Sequence, residues 1–384
     1  MNGPIRLCIV NPHGYELFDP SGRATRVFGG AEVQLYYLST GLAATGEFDV
    51  SMVVEQYGDV DGRHQGVRML AVPPVGRAFA RFRDRIPVPA PAYLRALRRA
   101  DADIYLQRGG AVLTGDVATY CRTRGRAFAF MAAHDWDCDR RHQRGWQYLA
   151  GTYYLAGLRA ADLVFAQSEH QRTLLRQHLD VDSIVQRTVY PAASRADVPR
   201  DHVLWVGRCL SWKRPLALLD LAAERPDQTF VMACPAYEGE RALYDEVTRR
   251  AARLPNVDFR EFVPFAETED LFSRALTFVN TSTAEGFPNT FIQAARVGTP
   301  ILSLTVDPDG LLGRADIGSA AGDDMGLLGR RLDELLDQPE TWQRQSENAY
   351  RYFAEQHNLA TSLPAFAERL RDLASTRTRS RSAR

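Results

Sequence analysis

Charged side chains follow two segments of the chain that have the sequence pattern of buried strands. Arg208 and Lys213 come after the apolar run HVLWVG, and Glu285 comes after the run LTFVNTS. Because the carboxyl ends of parallel strands meet at one edge of a sheet, we expect the three side chains at the same edge. Two cations beside a helix N-terminus bind a diphosphate through charge-assisted hydrogen bonds. A carboxylate there accepts hydrogen bonds from sugar hydroxyls.

The segment GFPNTF opens a predicted helix. Gly286 permits a tight turn, and Pro288 and Asn289 are helix-start signals. We expect the backbone N–H groups of Asn289, Thr290 and Phe291 to face an anion, which the helix dipole favours. A plain strand-to-helix turn with a capping residue is the alternative.

Lys213 is the sole lysine in a chain whose lysines and arginines total 47. Such a bias replaces ordinary surface lysines by arginine at little cost. Lysine is a compact point charge and arginine a planar fork, so the retained lysine indicates a position that arginine cannot fill. Chance retention of a single lysine is the alternative.

The composition restricts the class of protein. The 384 residues predict two domains, and the net charge of zero argues against a nucleic-acid-binding surface over the whole protein. The five cysteines form no C-x-x-C pair and are odd in number, which suits reduced thiols. No signal sequence and no membrane-spanning run is visible, so we expect a cytoplasmic protein, with peripheral contact at the inner membrane face as a further option.

Short apolar runs alternate with helical patterns in both halves of the chain, which predicts an α/β fold with doubly wound parallel sheets. We expect two Rossmann-like domains facing each other across a cleft. The proline-rich stretch YPAASRADVPRD, residues 190–201, is the predicted linker. Residues 1–190 are then an N-terminal acceptor-binding domain and residues 201–355 a nucleotide-sugar-binding domain. A helix over 356–374 is expected to pack back on the N-terminal domain, before a disordered basic tail over 375–384.

Arg208, Lys213 and the run STAEGFPNTFIQAARVGTP resemble the C-terminal half of the family 4 retaining glycosyltransferases, which have the GT-B fold. The runs FGGAEVQLYYLSTGLAATG and ADLVFAQSEHQRTLL resemble segments of that family's N-terminal half. The matching segments extend from about residue 5 to about residue 360.

The resemblance implies roles for these residues. Arg208 and Lys213 would bind the donor diphosphate and stabilise it as a leaving group. Glu285 would contact the donor sugar as the first glutamate of the family's E-x7-E signature. The donor-binding residues would also include the loop and helix start, namely Gly286, Phe287, Pro288, Asn289 and Thr290.

Gln293 stands where the family's second signature glutamate is expected to hold the ribose hydroxyls. Glutamine keeps one carbonyl acceptor but loses charge assistance, a loss of about 1 kcal/mol. This departure leaves open a weakly active protein, and predicts that Gln293→Glu tightens nucleotide binding.

The resemblance also assigns residues of the N-terminal half. The loop with Gly29 and Gly30 would approach the donor phosphate and the acceptor, and His134 would lie beside the donor sugar. A simple turn before a helix and a structural histidine are the respective alternatives.

The run HDWDCD raises the question of a metal site. An EF-hand loop counted from Asp135 would need glycine and glutamate where Arg140 and Trp146 stand, so we reject it. The D-x-D motif of metal-dependent GT-A transferases belongs to another fold. We therefore expect an acidic loop facing the acceptor, and no metal ion or other cofactor.

Residues 76–100 carry seven arginines and one aspartate, with Phe79 and Phe82 among them. This segment predicts either a solvated basic surface or a face that docks on an anionic membrane.

Together, these patterns predict a retaining glycosyltransferase. It would move a hexose from a nucleotide-diphosphate sugar, UDP-linked first and GDP-linked next, to a hydroxyl of a glycan, lipid-linked or small-molecule acceptor. No nucleic acid is an expected partner. A non-catalytic sugar-nucleotide-binding subunit is the alternative. A nicotinamide-dependent oxidoreductase is disfavoured because no G-x-G-x-x-G follows the first strand.

Overall fold

The computed structural model describes residues 3–18, 29–55, 60, 62–140, 148–193 and 198–382. The chain divides into two compact units. The N-terminal unit comprises Met1–Val189 and Leu359–Arg384, and the C-terminal unit comprises Tyr190–Asn358. Each unit is built on a sheet of mostly parallel strands, as the alternating sequence pattern predicts.

The described part of the N-terminal unit contains one eight-stranded sheet with the order β3-β4-β2-β1-β5-β6-β7-β8. Only the β3–β4 pairing among these strands is antiparallel. Most strands are continuous apolar runs, because helices cover both faces of a parallel sheet. The strands are β1 (Ile5–Val10), β2 (Phe48–Glu55), β3 (Gly62–His64), β4 (Val67–Val72), β5 (Ile104–Arg108), β6 (Ala127–Met131), β7 (Leu163–Ala166) and β8 (Ile184–Val185).

The helices between these strands pack against a hydrophobic core on each side of the sheet. The fourth and fifth of them pack closely on each other. A side chain on Gly115 would overlap the ring of Tyr153, so this crossing depends on a glycine. The helices are α1 (Gly30–Ala44), α2 (Arg77–Arg83), α3 (Pro91–Ala100), α4 (Val112–Arg124), α5 (Tyr148–Arg159) and α6 (Glu169–Leu174).

The C-terminal unit has a six-stranded parallel sheet with the order β11-β10-β9-β12-β13-β14. The strands are β9 (His202–Val206), β10 (Phe230–Ala233), β11 (Val257–Arg260), β12 (Ala275–Asn280), β13 (Ile301–Ser303) and β14 (Gly318–Ala320). The helices are α7 (Pro215–Ala223), α8 (Arg241–Ala251), α9 (Thr268–Ser273), α10 (Asn289–Arg296), α11 (Leu311–Arg314), α12 (Met325–Asp337) and α13 (Pro339–Gln356). The strands β9, β10 and β11 extend the sheet in one direction from its centre, and β12, β13 and β14 extend it in the other direction.

The last helix, α14 (Leu359–Ser382), belongs to the N-terminal unit. Phe366 and Leu370 are fully buried in that unit's core, and the ring of Phe366 lies 5.1 Å from that of Phe165. The helix continues through Ser382, where the sequence analysis predicted a disordered tail from residue 375. Nothing in the sequence after Pro364 breaks a helix, since neither glycine nor proline follows.

The unit boundary at Val189 and Tyr190 lies at the start of the predicted linker, of which residues 194–197 fall outside the described residues. The backbone N–H of Tyr190 donates to the carbonyl of His357. No strand was predicted from the sequence at β4, which has six residues, or at the sheet-edge strands β3, β8 and β14, which have two or three residues each. None of the helices in the described ranges is long and apolar enough to cross a membrane.

Candidate functional site in the C-terminal unit

The strands β9 and β12 are hydrogen-bonded neighbours at the centre of the C-terminal sheet. Since the winding direction reverses between them, they form the topological switch point where ligands bind in open α/β sheets. Arg208 and Lys213 follow β9, and Glu285 follows β12. The structure therefore brings these three predicted residues to one edge of one sheet.

A buried threonine ties the two loops together. Thr281 follows β12 and is fully buried. Its hydroxyl donates to the backbone carbonyl of Lys213 at 2.6 Å and lies 3.1 Å from that of Arg214. The hydroxyl oxygen accepts from the indole N–H of Trp205, on β9, at 2.9 Å. A further link is the backbone N–H of Thr283, which donates to the Trp212 carbonyl at 2.8 Å.

Two more elements hold the short helical turn Ser211–Lys213 from other sides. The Glu240 carboxylate accepts from the backbone N–H of Ser211 at 3.0 Å and from its hydroxyl at 3.0 Å. Arg214 forms an ion pair with Asp323, and its backbone has a φ of 50°. A left-handed conformation is unfavourable for a residue with a side chain, so these contacts fix a strained turn at the site.

Lys213 and Glu285 form an ion pair across the two loops. The Glu285 carboxylate also accepts from the Ser282 hydroxyl at 2.8 Å. The side chains of the pair are 20% and 13% exposed, so solvent screens them much less than an ion pair on the open surface. An anion that reaches this ion pair would meet the ammonium group of Lys213, whose backbone is held in place by the contacts described above.

Arg208 is half-buried, and its guanidinium carbon lies 5.8 Å from the ring centre of the exposed Tyr237. At this distance the guanidinium group and the ring form a cation–π contact, which keeps Arg208 near the carboxyl end of β10. The neighbouring thiols of Cys209 and Cys234 are buried, and burial raises the pKa of both. Neither thiol is therefore a thiolate nucleophile at neutral pH.

The helix α10 begins at Asn289, shortly after Glu285 in the sequence, and Pro288 is its N-cap. Gly286 and Phe287 are buried, whereas Asn289 and Thr290 are half-buried. The N–H of Phe291 donates to the Pro288 carbonyl, so the expectation that it faces an anion is wrong. The ring of Phe287 lies 5.4 Å from that of the buried His357, so this side chain belongs to the core.

Gln293 lies one turn into α10 and is half-buried. Its side-chain amide nitrogen is 3.4 Å from the Thr268 hydroxyl, at the start of α9. No contact joins it to Glu285 among the hydrogen bonds between described residues. The two signature positions thus have different neighbours, Ser282 for Glu285 and Thr268 for Gln293.

The remaining predicted residues lie in the N-terminal unit. His134 follows β6, and its Nδ1 accepts from the backbone N–H of Trp136 at 3.2 Å. The buried Asp137 carboxylate accepts from the N–H groups of His134, Ala133 and Gly110, at 3.0, 2.8 and 3.0 Å. Asp137 therefore holds the backbone of this loop. Within the described ranges no cluster of His, Cys, Asp and Glu side chains could hold a metal ion.

Gly30 is the first residue of α1, and Gly29 is its N-cap in an extended conformation. The carboxylate of Glu32 accepts from the Gly29 N–H at 2.9 Å, which stabilises the helix start. Residues 19–28, directly before it, lie outside the described residues. This capping is compatible with the simple turn that the sequence analysis left as an alternative.

The sequence analysis missed Trp205, Thr281 and Tyr237. A tryptophan inside a buried strand was a signal for the first two, because its N–H needs a partner when buried. Nothing in the sequence indicated that Tyr237 would lie against Arg208, since the two follow different strands.

Comparisons with known proteins agree with this architecture. Residues 28–193 match the model of Glycosyltransferase Family 4, and residues 200–337 match that of Glycosyl transferases group 1. No curated protein sequence matches the chain significantly.

Solved structures similar to this chain include sucrose-phosphate synthase from Thermosynechococcus elongatus, with 17% identity and a TM-score of 0.77 over 98% of this chain and 100% of that one. HepE from Anabaena in complex with UDP has 17% identity and a TM-score of 0.70, over 96% and 100% of the chains. Trehalose-6-phosphate synthase OtsA has 13% identity and a TM-score of 0.73, over 95% and 99%. At these identities the likeness establishes the fold. The family matches together extend over most of the sequence, and the chain therefore belongs to the family 4 glycosyltransferases with the GT-B fold.

Proposed function

We propose that this glycosyltransferase moves a hexose, with retention of the anomeric configuration, from a nucleoside-diphosphate sugar to a hydroxyl of a glycan, lipid-linked or small-molecule acceptor. UDP is the favoured nucleotide and GDP the second candidate. UDP is favoured because solved structures of the same fold are described as complexes with UDP or UDP-glucose.

The observation that carries the proposal is the paired Lys213 and Glu285 on cross-tied loops at the switch point. A diphosphate would replace the Glu285 carboxylate as the partner of Lys213, so the lysine exchanges one anion for another. Arg208 and the N-terminus of α10 would take the remaining phosphate oxygens. Glu285, once released, would accept hydrogen bonds from the sugar hydroxyls while Ser282 still donates to it.

Catalysis in this proposal is electrostatic. The bond between the anomeric carbon and the β-phosphate oxygen breaks as the acceptor oxygen forms its bond on the same face of the sugar. The proton of the acceptor hydroxyl passes to the departing phosphate oxygen, so no general base from the protein is required. Arg208 and Lys213 stabilise the charge that develops on the diphosphate, and we propose that they do so without a metal ion. His134 is proposed to lie beside the donor sugar.

The proposal is tested by thermal stabilisation of the protein with UDP, GDP, ADP and dTDP. A nucleotide at about 100 times its dissociation constant adds about 2.7 kcal/mol of stability. We expect one diphosphate to stabilise the wild type, Lys213→Ala to remove the effect, and the exposed control variant Arg253→Ala to retain it. Lys213→Arg tests whether the planar guanidinium group of arginine can replace the compact ammonium group of lysine at this position.

Turnover is measured as release of the nucleoside diphosphate from the matching sugar donor, with the product anomer assigned by NMR. Stabilisation without release would favour the alternative function, a sugar-nucleotide-binding subunit, for which Gln293 is the supporting residue. A product of inverted configuration would contradict the proposed mechanism, and no stabilisation by any diphosphate would contradict donor binding.

A further inference from the structure

The helix α2 exposes large apolar side chains on the N-terminal unit. Phe79, Phe82 and Ile86 are 39%, 45% and 47% exposed. The N–H of Ile86 donates to the Phe82 carbonyl, so the helical path continues beyond the last residue of α2. Large apolar side chains grouped on one exposed face indicate an interaction site.

The positions around this helix follow from an advance of about 100° per residue. Residues 79, 82 and 86 have helical spacing and form one stripe. Arg81 and Arg85 lie together along one side of that stripe, and both are exposed. We call these five residues (Phe79, Arg81, Phe82, Arg85 and Ile86) the α2 face.

The flank of the stripe away from Arg81 and Arg85 is anchored in the protein through Arg83, which lies one helical turn after Phe79. Arg83 is buried and forms an ion pair with the fully buried Asp116 of α4. Its Nε also donates to the Val88 carbonyl at 2.8 Å. Asp116 further accepts from the hydroxyl of Tyr153, on α5, at 3.2 Å. The ion pair therefore fixes the orientation of α2 and keeps the apolar stripe outward.

Asp116 also connects α2 with α5, because Arg83 and Tyr153 reach the same carboxylate. The first turn of α5 exposes Tyr148 and Leu149. These two and the α2 stripe are five of the seven large apolar side chains exposed in the described ranges. Arginines also lie exposed on the next helix, α3, at positions 95, 98 and 99.

We propose that the α2 face docks on an anionic lipid bilayer. A helix with an apolar stripe flanked by arginines lies in the plane of the interface, with its apolar side chains in the acyl boundary and its guanidinium groups among the headgroup phosphates. The segment 76–100 carries seven arginines and one aspartate in a chain of zero net charge, and five of these arginines are exposed, namely Arg81, Arg85, Arg95, Arg98 and Arg99. Exposed positive charge and the exposed apolar stripe therefore belong to the same segment. The donor chemistry does not enter this proposal, which can fail while the proposed function stands.

The test is co-sedimentation of the full chain with vesicles of phosphatidylcholine, with and without phosphatidylglycerol. We expect binding only to the anionic vesicles, weakening as salt rises. Each arginine near such a surface changes binding about fivefold, so Arg81→Gln/Arg85→Gln should bind about 30-fold more weakly. The matched control Arg122→Gln/Arg124→Gln, at the end of α4, should bind like the wild type.

Arg83 is left intact in every variant because its loss would strand a buried carboxylate. Phe79→Ser/Phe82→Ser should remove the binding that persists at high salt. Wild-type protein that stays in solution, or a control variant that loses as much binding as the α2 variant, would overturn the proposal.

A second measurement reports insertion directly. The five native cysteines are all buried, so Ile86→Cys supplies an exposed thiol for an environment-sensitive fluorophore. We expect its emission to shift to shorter wavelength on anionic vesicles, and an unchanged spectrum would contradict insertion. Sedimentation velocity tests two other partners of the α2 face, a second copy of this chain and a nucleic acid strand. If the protein forms a dimer that the phenylalanine substitutions dissociate, or binds an oligo(dT) strand that these variants no longer bind, the α2 face would be assigned to that partner instead.

Discussion

Removal of the Thr281 hydroxyl tests whether the buried link between β9 and β12 positions Lys213. Valine has nearly the shape of threonine, so Thr281→Val removes the hydroxyl without opening a cavity. The substitution leaves the indole N–H of Trp205 without its acceptor, and the Lys213 carbonyl without its donor. Trp205 is buried, so water does not reach its N–H readily.

The expected loss follows from these two groups. A buried polar group left without its partner costs about 1–3 kcal/mol, so two fully buried groups would cost about 2–6 kcal/mol. Lys213 is only half-buried, so water can reach its carbonyl more readily, and the substitution should destabilise the C-terminal unit by roughly 2–4 kcal/mol. For a domain of this size, that lowers the melting temperature by roughly 5–15 °C. The turn that carries Lys213 then loses one of its supports, and we expect diphosphate affinity to fall about tenfold or more.

The assays are thermal unfolding and nucleoside-diphosphate titration of Thr281→Val, with Thr281→Ser as the matched control. Serine keeps the hydroxyl, so it should retain most of the affinity. Adding Trp205→Phe to Thr281→Val removes the stranded N–H, and the double variant should lose less stability than the sum of the single changes. Unchanged melting and unchanged nucleotide affinity in Thr281→Val would refute the positioning role.

Three further predictions concern other residues. Gln293→Glu should tighten nucleotide binding about tenfold by restoring a charge-assisted acceptor, and an unchanged dissociation constant in titration calorimetry would argue against a ribose contact there. Phe366→Ala should cost about 3–5 kcal/mol of unfolding free energy in denaturant titration, because the ring is fully buried; a loss below 1 kcal/mol would show that α14 is dispensable. Burial raises the pKa of Asp103, but the hydrogen bonds from Arg6 outweigh burial and hold the pKa below its usual value. The stability from this pair is therefore present above the ordinary carboxyl pKa of about 4 and is lost as the pH falls further, so Asp103→Asn should lower the melting temperature at neutral pH and converge with wild type in acid.

The sequence by itself determined the secondary structure of the central strands and the class of fold. The run FDVSMVVE is β2 over its whole length, and the alternation of such runs with helical patterns predicted the parallel sheets. These features are local, because side-chain periodicity and backbone geometry act within a few residues. The carboxyl-end rule then located Arg208, Lys213 and Glu285 at one edge without knowledge of the strand order.

Only the tertiary structure decided which partners those residues have. Thr281 and Lys213 are 68 residues apart in the chain, and their contact depends on β9 and β12 being neighbours. Arg81, Arg83 and Arg85 are indistinguishable in the sequence, yet the middle one is buried on Asp116 and the others are exposed. A side chain's partner is set by the packing of distant segments, whereas its backbone conformation is set mostly by its neighbours in sequence.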